Sequence, residues 1–455
     1  MSSNKEKAAK ITLFALTWPI FVEILLHMLM GNVDTIMLSQ YNDNAVASVG
    51  VSNQIMSVII VMFGFVAAGT TILIAQNIGA KKKEKASQIS VVSIAANLLF
   101  GILLSLSLLL FGKPVLLAMN IPEELIADSL IYLQIVGGTL FIQSVIMTLG
   151  AVVKSYGFTK DAMYVTLGMN ILNVIGNYVL IFGAFGAPEL GVTGVAISTA
   201  ISRAIGLVIL FICLYKRVNG YLPWNYLFEK FPKEEIQQLL KIGIPSAGEQ
   251  LAYNLSQMVI TAFIATMGTV ELTTRVYAFN IIMFAMLFSI AIGQGTQILI
   301  GYLVGEKQIN KAYERCLKSL WIGVAISTFF MITLSLFRET LLSLFTSNPE
   351  IIQIGSLLLL ISIILEPGRA FNLIVINALR AAGDVRYPAY IGIICMWGVS
   401  VTVSYTAGIM FGLGLIGVWI AMILDEWIRG ILMLRRWNSK KWVTMSFVNE
   451  EGKNS

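Results

Sequence analysis

The chain has 455 residues, of which 57% are apolar and only 12% charged, with a formal net charge of +6. A soluble domain carries about twice that share of charge, roughly 25%. This composition therefore cannot clothe a globular surface, and it excludes a soluble enzyme, a disordered chain and a coiled coil. It leaves an all-α polytopic membrane protein, because a transmembrane barrel alternates apolar and polar residues and never gives long apolar runs.

A membrane helix needs about 20 mainly apolar residues. Twelve segments qualify: 11–38, 50–76, 90–111, 125–150, 163–185 and 192–215, then 241–266, 276–303, 317–337, 350–377, 388–411 and 414–434. The first is too long for a cleaved signal peptide, carries Pro19, Glu23 and His27, and is followed by no small-residue cleavage site. Cys213, Cys316 and Cys395 are scattered, so neither a disulfide framework nor a zinc site is implied.

Cytoplasmic loops retain Lys and Arg. Every second loop and both ends are basic. Lys5, Lys7 and Lys10 open the chain, and Lys81, Lys82, Lys83 and Lys85 follow the second span. Lys154 and Lys160, then Lys216, Arg217, Lys230, Lys233 and Lys241, continue the pattern. Lys307, Lys311, Arg315 and Lys318 follow the eighth span, Arg380 and Arg386 the tenth, and Arg435, Arg436, Lys440, Lys441 and Lys453 the last. The alternate loops hold only Lys113, Arg275 and Arg338. Twelve spans in a plasma membrane with both termini cytoplasmic follow. The positive charge is thus a topology signal, and no nucleic-acid partner is implied.

Sliding the chain by 226 residues superposes Pro19 on Pro245, Glu23 on Glu249, Thr35 on Thr261 and Gly69 on Gly295. Gly79, Lys81 and Lys85 fall on Gly305, Lys307 and Lys311, and Lys154 falls on Arg380. At offset 223, Gly191 and Gly194 fall on Gly414 and Gly417. The expected architecture is two pseudo-symmetric six-helix bundles. Residues 1–215 form an N-lobe of helices one to six, 216–240 a cytoplasmic linker, and 241–455 a C-lobe of helices seven to twelve with a cytoplasmic tail. Duplicated halves of this kind suit alternating access around a central site.

Charged groups inside a bilayer cost about 2.5–3.5 kcal/mol each on insertion scales, so those retained are functional candidates. The acids are Glu23, Asp34, Glu249, Glu366, Asp425 and Glu426; the permanent cations are Arg203, Arg369 and Arg429. Glu366 and Arg369 are helical neighbours at i,i+3, and Asp425 and Arg429 at i,i+4. That group (Glu366, Arg369, Asp425, Glu426 and Arg429) either lines a substrate cavity or forms structural charge pairs. Glu23 and Glu249 have no permanent cation within one helical turn, which points to cation or proton binding. Pro19 and Pro245 each stand four residues before one of these acids and are candidate hinges.

The two six-helix halves, the segment Gly31-Asn-Val-Asp34-Thr-Ile-Met37 after Pro19, the repeated lysine- and glycine-bearing loops, Gly191-Val-Thr-Gly194 and Leu379-Arg380-Ala-Ala-Gly383-Asp384 resemble the multidrug and toxic compound extrusion (MATE) family over about residues 10–437. The resemblance implies export of small, cationic, amphipathic compounds coupled to entry of H+ or Na+, with no other cofactor and no obligate protein partner. It implies an N-lobe cation or proton site at Asp34, Asn173 and Thr199, with Asn177 where some members have Asp. Some members carry a seventh-helix Glu where this chain has Asn254, and Glu249 lies about one turn closer to the proline. The tenth-helix Asp of those members falls on Arg369, with Glu366 one turn away.

The alternative within this architecture is a lipid-linked oligosaccharide flippase, whose anionic cargo calls for a basic cavity rather than an acid excess. An enzyme is disfavoured, since His27 is the only histidine and no nucleophile or metal motif appears.

Overall fold

The computed structural model describes residues 12–229 and 231–448. Lys5, Lys7, Lys10, Lys230 and Lys453 lie outside the described residues. Twelve long helices run in order: α1 (Leu13–Ser39), α2 (Asp43–Gly79), α3 (Lys83–Ala118), α4 (Glu123–Gly137 with Leu140–Ser155), α5 (Thr159–Phe182), α6 (Gly191–Arg217), α7 (Lys233–Met267), α8 (Thr269–Gly305), α9 (Ile309–Leu336), α10 (Pro349–Ala381), α11 (Arg386–Met410) and α12 (Gly414–Asn438). They form two pseudo-symmetric six-helix bundles, α1–α6 and α7–α12.

Among the described residues, nine helices are long and apolar enough to cross a membrane, or ten when α4 counts as one span. The other two are α7 and α12. The first is diluted by Glu249, Gln250, Asn254 and Gln257, and the second carries Asp425, Glu426 and Arg429 inside it. Their polar residues are what makes them interesting.

Several helices outrun the apolar stretches. α2 and α8 have 37 residues each, or about 55 Å at 1.5 Å per residue, against a hydrocarbon core of about 30 Å. An apolar window stops at the first charges, whereas the backbone hydrogen-bond ladder continues through them. Lys113 and Arg275, expected in outer loops, therefore lie within α3 and α8. Arg338 opens a short helix, Arg338–Ser343. The segment 216–240 holds the end of α6, a single turn at Tyr226–Glu229 and the start of α7.

α4 bends by 44° at a wide π turn, Leu133–Gly137, next to Gly138. A π turn displaces the regular ladder by one bond and commonly marks a kink. α11 carries two such turns, Met396–Val401 and Ser404–Met410.

The described chain divides into two compact units. One comprises Trp18–Ile74 and Lys82–Gly243; the other comprises Ala75–Lys81, Ile244 onward and the described residues up to Thr17. The first has a core of Leu38, Phe63, Tyr132, Leu140 and Val195. The second is built on Ile264, Ile282, Leu358 and Trp419, with the Trp419 indole donating to Ser362 Oγ at 3.0 Å. The chain passes between units at Thr17/Trp18 and again at Gly243/Ile244. These steps are equivalent under the 226-residue offset, and each falls just before a proline, Pro19 or Pro245.

Gly69 and Gly295 show why the repeat keeps glycine there. A β-carbon on Gly69 would lie 3.2 Å from Leu239, at the start of α7, and one on Gly295 would lie 2.6 Å from Thr17, at the start of α1. Each glycine receives the opening turns of the first helix of the opposite half. In the second unit the chain after α12 folds back as a strap. Trp442 stacks on Trp437 with ring centroids 4.2 Å apart. Ser446 Oγ and the Phe447 backbone N–H donate to Gln76 Oε1 at 3.0 and 2.8 Å, while Gln76 donates to the Ala381 carbonyl.

Candidate ion and substrate sites

The sequence residues Asp34, Asn173, Asn177 and Thr199 converge in the first unit. Asn173 and Asn177 are i,i+4 neighbours on α5, so both side chains leave one face, and both are fully buried. Asn177 Nδ2 donates to Asp34 Oδ1 at 2.6 Å and to Asn173 Oδ1 at 3.2 Å. Asn173 Nδ2 donates to Thr199 Oγ1 at 3.2 Å, and Ser198 Oγ donates to the Asn173 carbonyl at 2.9 Å. Three helices, α1, α5 and α6, thus share one continuous hydrogen-bond chain.

Asp34 is half-buried and makes no ion pair with a described Lys or Arg. The buried Oδ1 of Asn177 has no hydrogen-bond partner. A carboxylate, an amide oxygen and a hydroxyl are the donor set that a hard cation takes, and a proton can be held on the carboxylate. Tyr132 on α4 stands against Thr199 and Asn53, and Arg203 lies within electrostatic reach of Asp34 and Tyr132. Sequence reasoning counted Arg203 as an intramembrane charge but did not join it to this site. The signal was available, because Arg203 follows Thr199 by four residues on α6.

Glu23 and Glu249 find their cations on other helices. Lys154 Nζ, at the end of α4, donates to Glu23 Oε1 at 3.0 Å. Arg380, at the end of α10, donates from Nη2 to Glu249 Oε2. All four residues are repeat equivalents, so each half builds the same ion pair. The pairs sit four residues beyond the prolines. His27, one turn from Glu23, is exposed but lies within electrostatic reach of Glu23 and Lys154.

The second unit holds a buried charge cluster between α10 and α12. Arg369 Nη1 lies 2.6 Å from Glu366 Oε1, and Arg369 Nε lies 3.3 Å from Glu426 Oε1. Arg429 Nη2 reaches Asp425 Oδ2 at 2.6 Å and Glu426 Oε2 at 3.4 Å. Asn372 Nδ2 donates to Glu426 Oε2 at 2.8 Å. Glu426 bridges both guanidiniums, a link that intrahelical spacing did not reveal. Three carboxylates face two guanidiniums here, and Glu366 Oε2 and Asp425 Oδ1 have no hydrogen-bond partner.

Ahead of the membrane span, the first turn of α7 is clasped to α3. Lys85 Nζ lies 2.5 Å from Glu235 Oε1, and the Tyr226 hydroxyl donates to the same oxygen at 2.8 Å. Burial raises the Glu235 carboxyl, but Lys85 and Tyr226 outweigh it and leave it below the ordinary carboxylate range. Burial, followed by the neighbouring Glu235, pushes the Tyr226 phenol up to about 12.

The MatE family profile matches the chain twice, at residues 19–179 and 245–406, beginning at Pro19 and at Pro245. The chain is 53% identical to the uncharacterized transporter YisQ of Bacillus subtilis over 432 residues, covering 95% of each chain. It is 28% identical to the probable multidrug resistance protein NorM of Thermotoga maritima, over 98% of this chain and 96% of that one. Among solved structures, the bent form of the Vibrio cholerae MATE transporter VcmN superposes with a TM-score of 0.86 at 22% identity, covering 94% of this chain and 95% of that one. At that identity the likeness speaks to fold alone.

Proposed function

The chain belongs to the MatE family, and from that membership we propose that it is an antiporter that expels cationic amphipathic compounds in exchange for H+ or Na+. The proposal places it in the plasma membrane with both termini cytoplasmic, working on small organic cations without a catalytic step, a nucleic-acid partner or an obligate protein partner. In this reading 1–215 and 241–455 are the moving lobes, 216–240 links them, and Pro19 and Pro245 are hinges.

The observation that carries the reading is Asp34, a carboxylate inside a helix bundle that is held by a hydrogen bond from Asn177 and makes no direct ion pair with a described Lys or Arg, Arg203 lying only within electrostatic reach. A desolvated carboxylate is costly to leave charged and unpaired. It can be satisfied by a proton, by Na+ or by a cationic substrate. If these occupants exclude one another, inward flow of the ion discharges the drug outward. Each charge entering down a 100 mV potential releases about 2.3 kcal/mol. Asn173, Asn177 and Thr199 orient the carboxylate and supply oxygen ligands to the incoming ion. Glu23 and Glu249, paired with Lys154 and Arg380, can exchange those partners for an ion as the hinges move. The cluster of Glu366, Arg369, Asp425, Glu426 and Arg429 supplies one further negative charge to the C-lobe.

The test is uptake of ethidium into proteoliposomes holding the purified protein, with pH and Na+ gradients imposed separately. Uptake driven by one gradient and lost in Asp34→Asn supports the reading. Gradient-independent movement, or full transport by the variant, overturns it.

A further inference from the structure

We propose that Arg275 is the anion-recognising group of a separate substrate subsite, one that takes the carboxylate of an amphipathic organic anion or zwitterion. The proposal rests on the reading that the chain exports amphipathic organic ions, and it assigns a chemistry that the acids described above cannot provide.

Arg275 lies on α8, and its guanidinium turns onto α7. Nη1 donates to Thr261 Oγ1, and Nη2 donates to Gln257 Oε1 at 3.0 Å. Both acceptors are neutral. Arginine offers five N–H donors in a fixed fork, and no ion pair joins this one to a described Asp or Glu. The natural partner would be Glu271, one turn earlier on the same helix. Its carboxylate is instead folded back on the start of α8, within 2.6 Å of where a β-carbon on Gly268 would stand.

An arginine near a membrane surface usually reaches outward to water. Arg275 reaches the other way. Its backbone is about 9 Å from the start of α8, whereas Thr261 and Gln257 lie about 9 and 15 Å from the end of α7 that adjoins it, at 1.5 Å per residue. The charged head thus sits level with its own backbone or deeper. A guanidinium turned inward is costly to keep away from water, and two neutral acceptors leave the charge itself uncompensated. A planar carboxylate fits the remaining donors of the fork. The Gln257 amide N–H lies beside it as a further donor.

The repeat makes the assignment sharper. Under the 226-residue offset Arg275 corresponds to Val49 and Thr261 to Thr35. The residue before Thr35 is Asp34, while the residue before Thr261 is Ile260. At this level the first half carries an acid, Asp34, with Arg203 within electrostatic reach, and the second half carries a cation, Arg275, paired with no described acid. Duplication alone would have given the same sign twice.

The experiment compares rhodamine B, a zwitterion bearing a carboxylate, with its ethyl ester, a monocation of the same scaffold, alongside ethidium. Proteoliposome transport and direct binding are measured for the wild type, Arg275→Gln and Arg275→Lys. Losing one charge-assisted contact should cut transport and affinity for rhodamine B about tenfold or more in R275Q, leaving the ester and ethidium within about twofold. R275K, which keeps the charge without the fork, should fall between for rhodamine B alone; it also serves if R275Q folds poorly. Equal effects on acid and ester, or none on either, overturn the subsite while wild-type ethidium transport stands. Failure of the wild type to move ethidium overturns the underlying function instead. A wild type that moves ethidium and the ester but does not bind rhodamine B also overturns the subsite.

Discussion

Gly79 and Gly305 each lie against the backbone of the other's helix. A β-carbon on Gly79 would stand 2.1 Å from the Tyr302 carbonyl oxygen, and one on Gly305 would stand 2.0 Å from that of Gln76. Tyr302 is the repeat equivalent of Gln76, so the ends of α2 and α8 cross reciprocally, glycine onto carbonyl, inside one compact unit. The strap residues Ser446 and Phe447 grip the same Gln76. The next residue but one in each loop, Lys81 or Lys307, has positive φ, so the turns leaving the crossing match as well. Gly79→Ala should force the helices apart and cost about 1–3 kcal/mol as overpacking does. Gly150→Ala, where a β-carbon meets nothing within 4 Å, should gain up to about 1 kcal/mol from helix propensity. Thermal unfolding of the two variants in detergent checks the opposite signs; a shift of the same sign in both contradicts the crossing.

Asp34→Asn keeps the shape that Asn177 binds and removes the charge. The variant should melt within about 1 kcal/mol of the wild type, as isosteric changes do. Its gradient-driven ethidium transport should fall to background. Thr199→Val removes only the far end of the chain of bonds and should weaken transport without abolishing it. Initial rates in proteoliposomes rank the two, and a Thr199 variant more damaged than the Asp34 variant would move the ion site away from α1.

The helices and their duplication were legible because each follows a local rule: apolar length marks spans, and constant offset marks repeats. The grouping of Asp34 with Asn173, Asn177 and Thr199 came instead from the family resemblance, with only a shared depth along their helices to support it, because no local rule ties α1 to α5 and α6. The partners of Glu23 and Glu249 were missed because a search along one helix cannot see across to another. Yet the offset that aligned the two acids also aligned Lys154 with Arg380, and two co-repeating opposite charges were a usable sign of pairing. Arg275 was read as a loop residue because hydropathy falls where a helix leaves the core, not where it ends. The strap was out of reach for a different reason. Ser446 and Gln76 are 370 positions apart, and no periodicity constrains a contact of that separation.

The Glu23–Lys154 pair is open to a double-mutant cycle. Glu23→Gln strands an ammonium and Lys154→Met strands a carboxylate, each nearly buried. Either single change should cost more than the double, with a coupling of about 1–3 kcal/mol. Thermal or denaturant unfolding of the four proteins gives the value. Additive losses would mean that water already screens the pair.

The clasp at the start of α7 should be stable only between two pH limits. The Glu235 carboxyl is held below its unfolded value, so its contribution is complete above about pH 4.3 and fades as pH falls through the lower folded value. The Tyr226 phenol is raised from about 10 to about 12, so its contribution is complete below pH 10 and fades as pH rises through that interval. Glu235→Gln should abolish the acid limb of a melting-versus-pH profile and shrink the alkaline limb, because Glu235 is one cause of the raised Tyr226 phenol. Tyr226→Phe should abolish the alkaline limb and leave most of the acid limb, which Lys85 sustains. An acid limb that survives intact in Glu235→Gln, or an alkaline limb that survives in Tyr226→Phe, would contradict this assignment.

Within the α10–α12 cluster the three carboxylates are not equivalent. Both oxygens of Glu426 are engaged, by Arg369, Arg429 and Asn372. Glu366 and Asp425 each keep one oxygen without a partner. Glu426→Gln breaks the bridge between two guanidiniums and leaves both short of a partner, for a loss of about 3–5 kcal/mol. Glu366→Gln and Asp425→Asn keep one bonded oxygen and remove the excess negative charge, so each should cost less stability than the Glu426 change. If that excess charge takes up an ion during the cycle, these two milder variants should lose more transport than stability. Unfolding and ethidium uptake measured on the same preparations separate the outcomes. Transport that simply follows stability across all three would make the cluster a brace between α10 and α12.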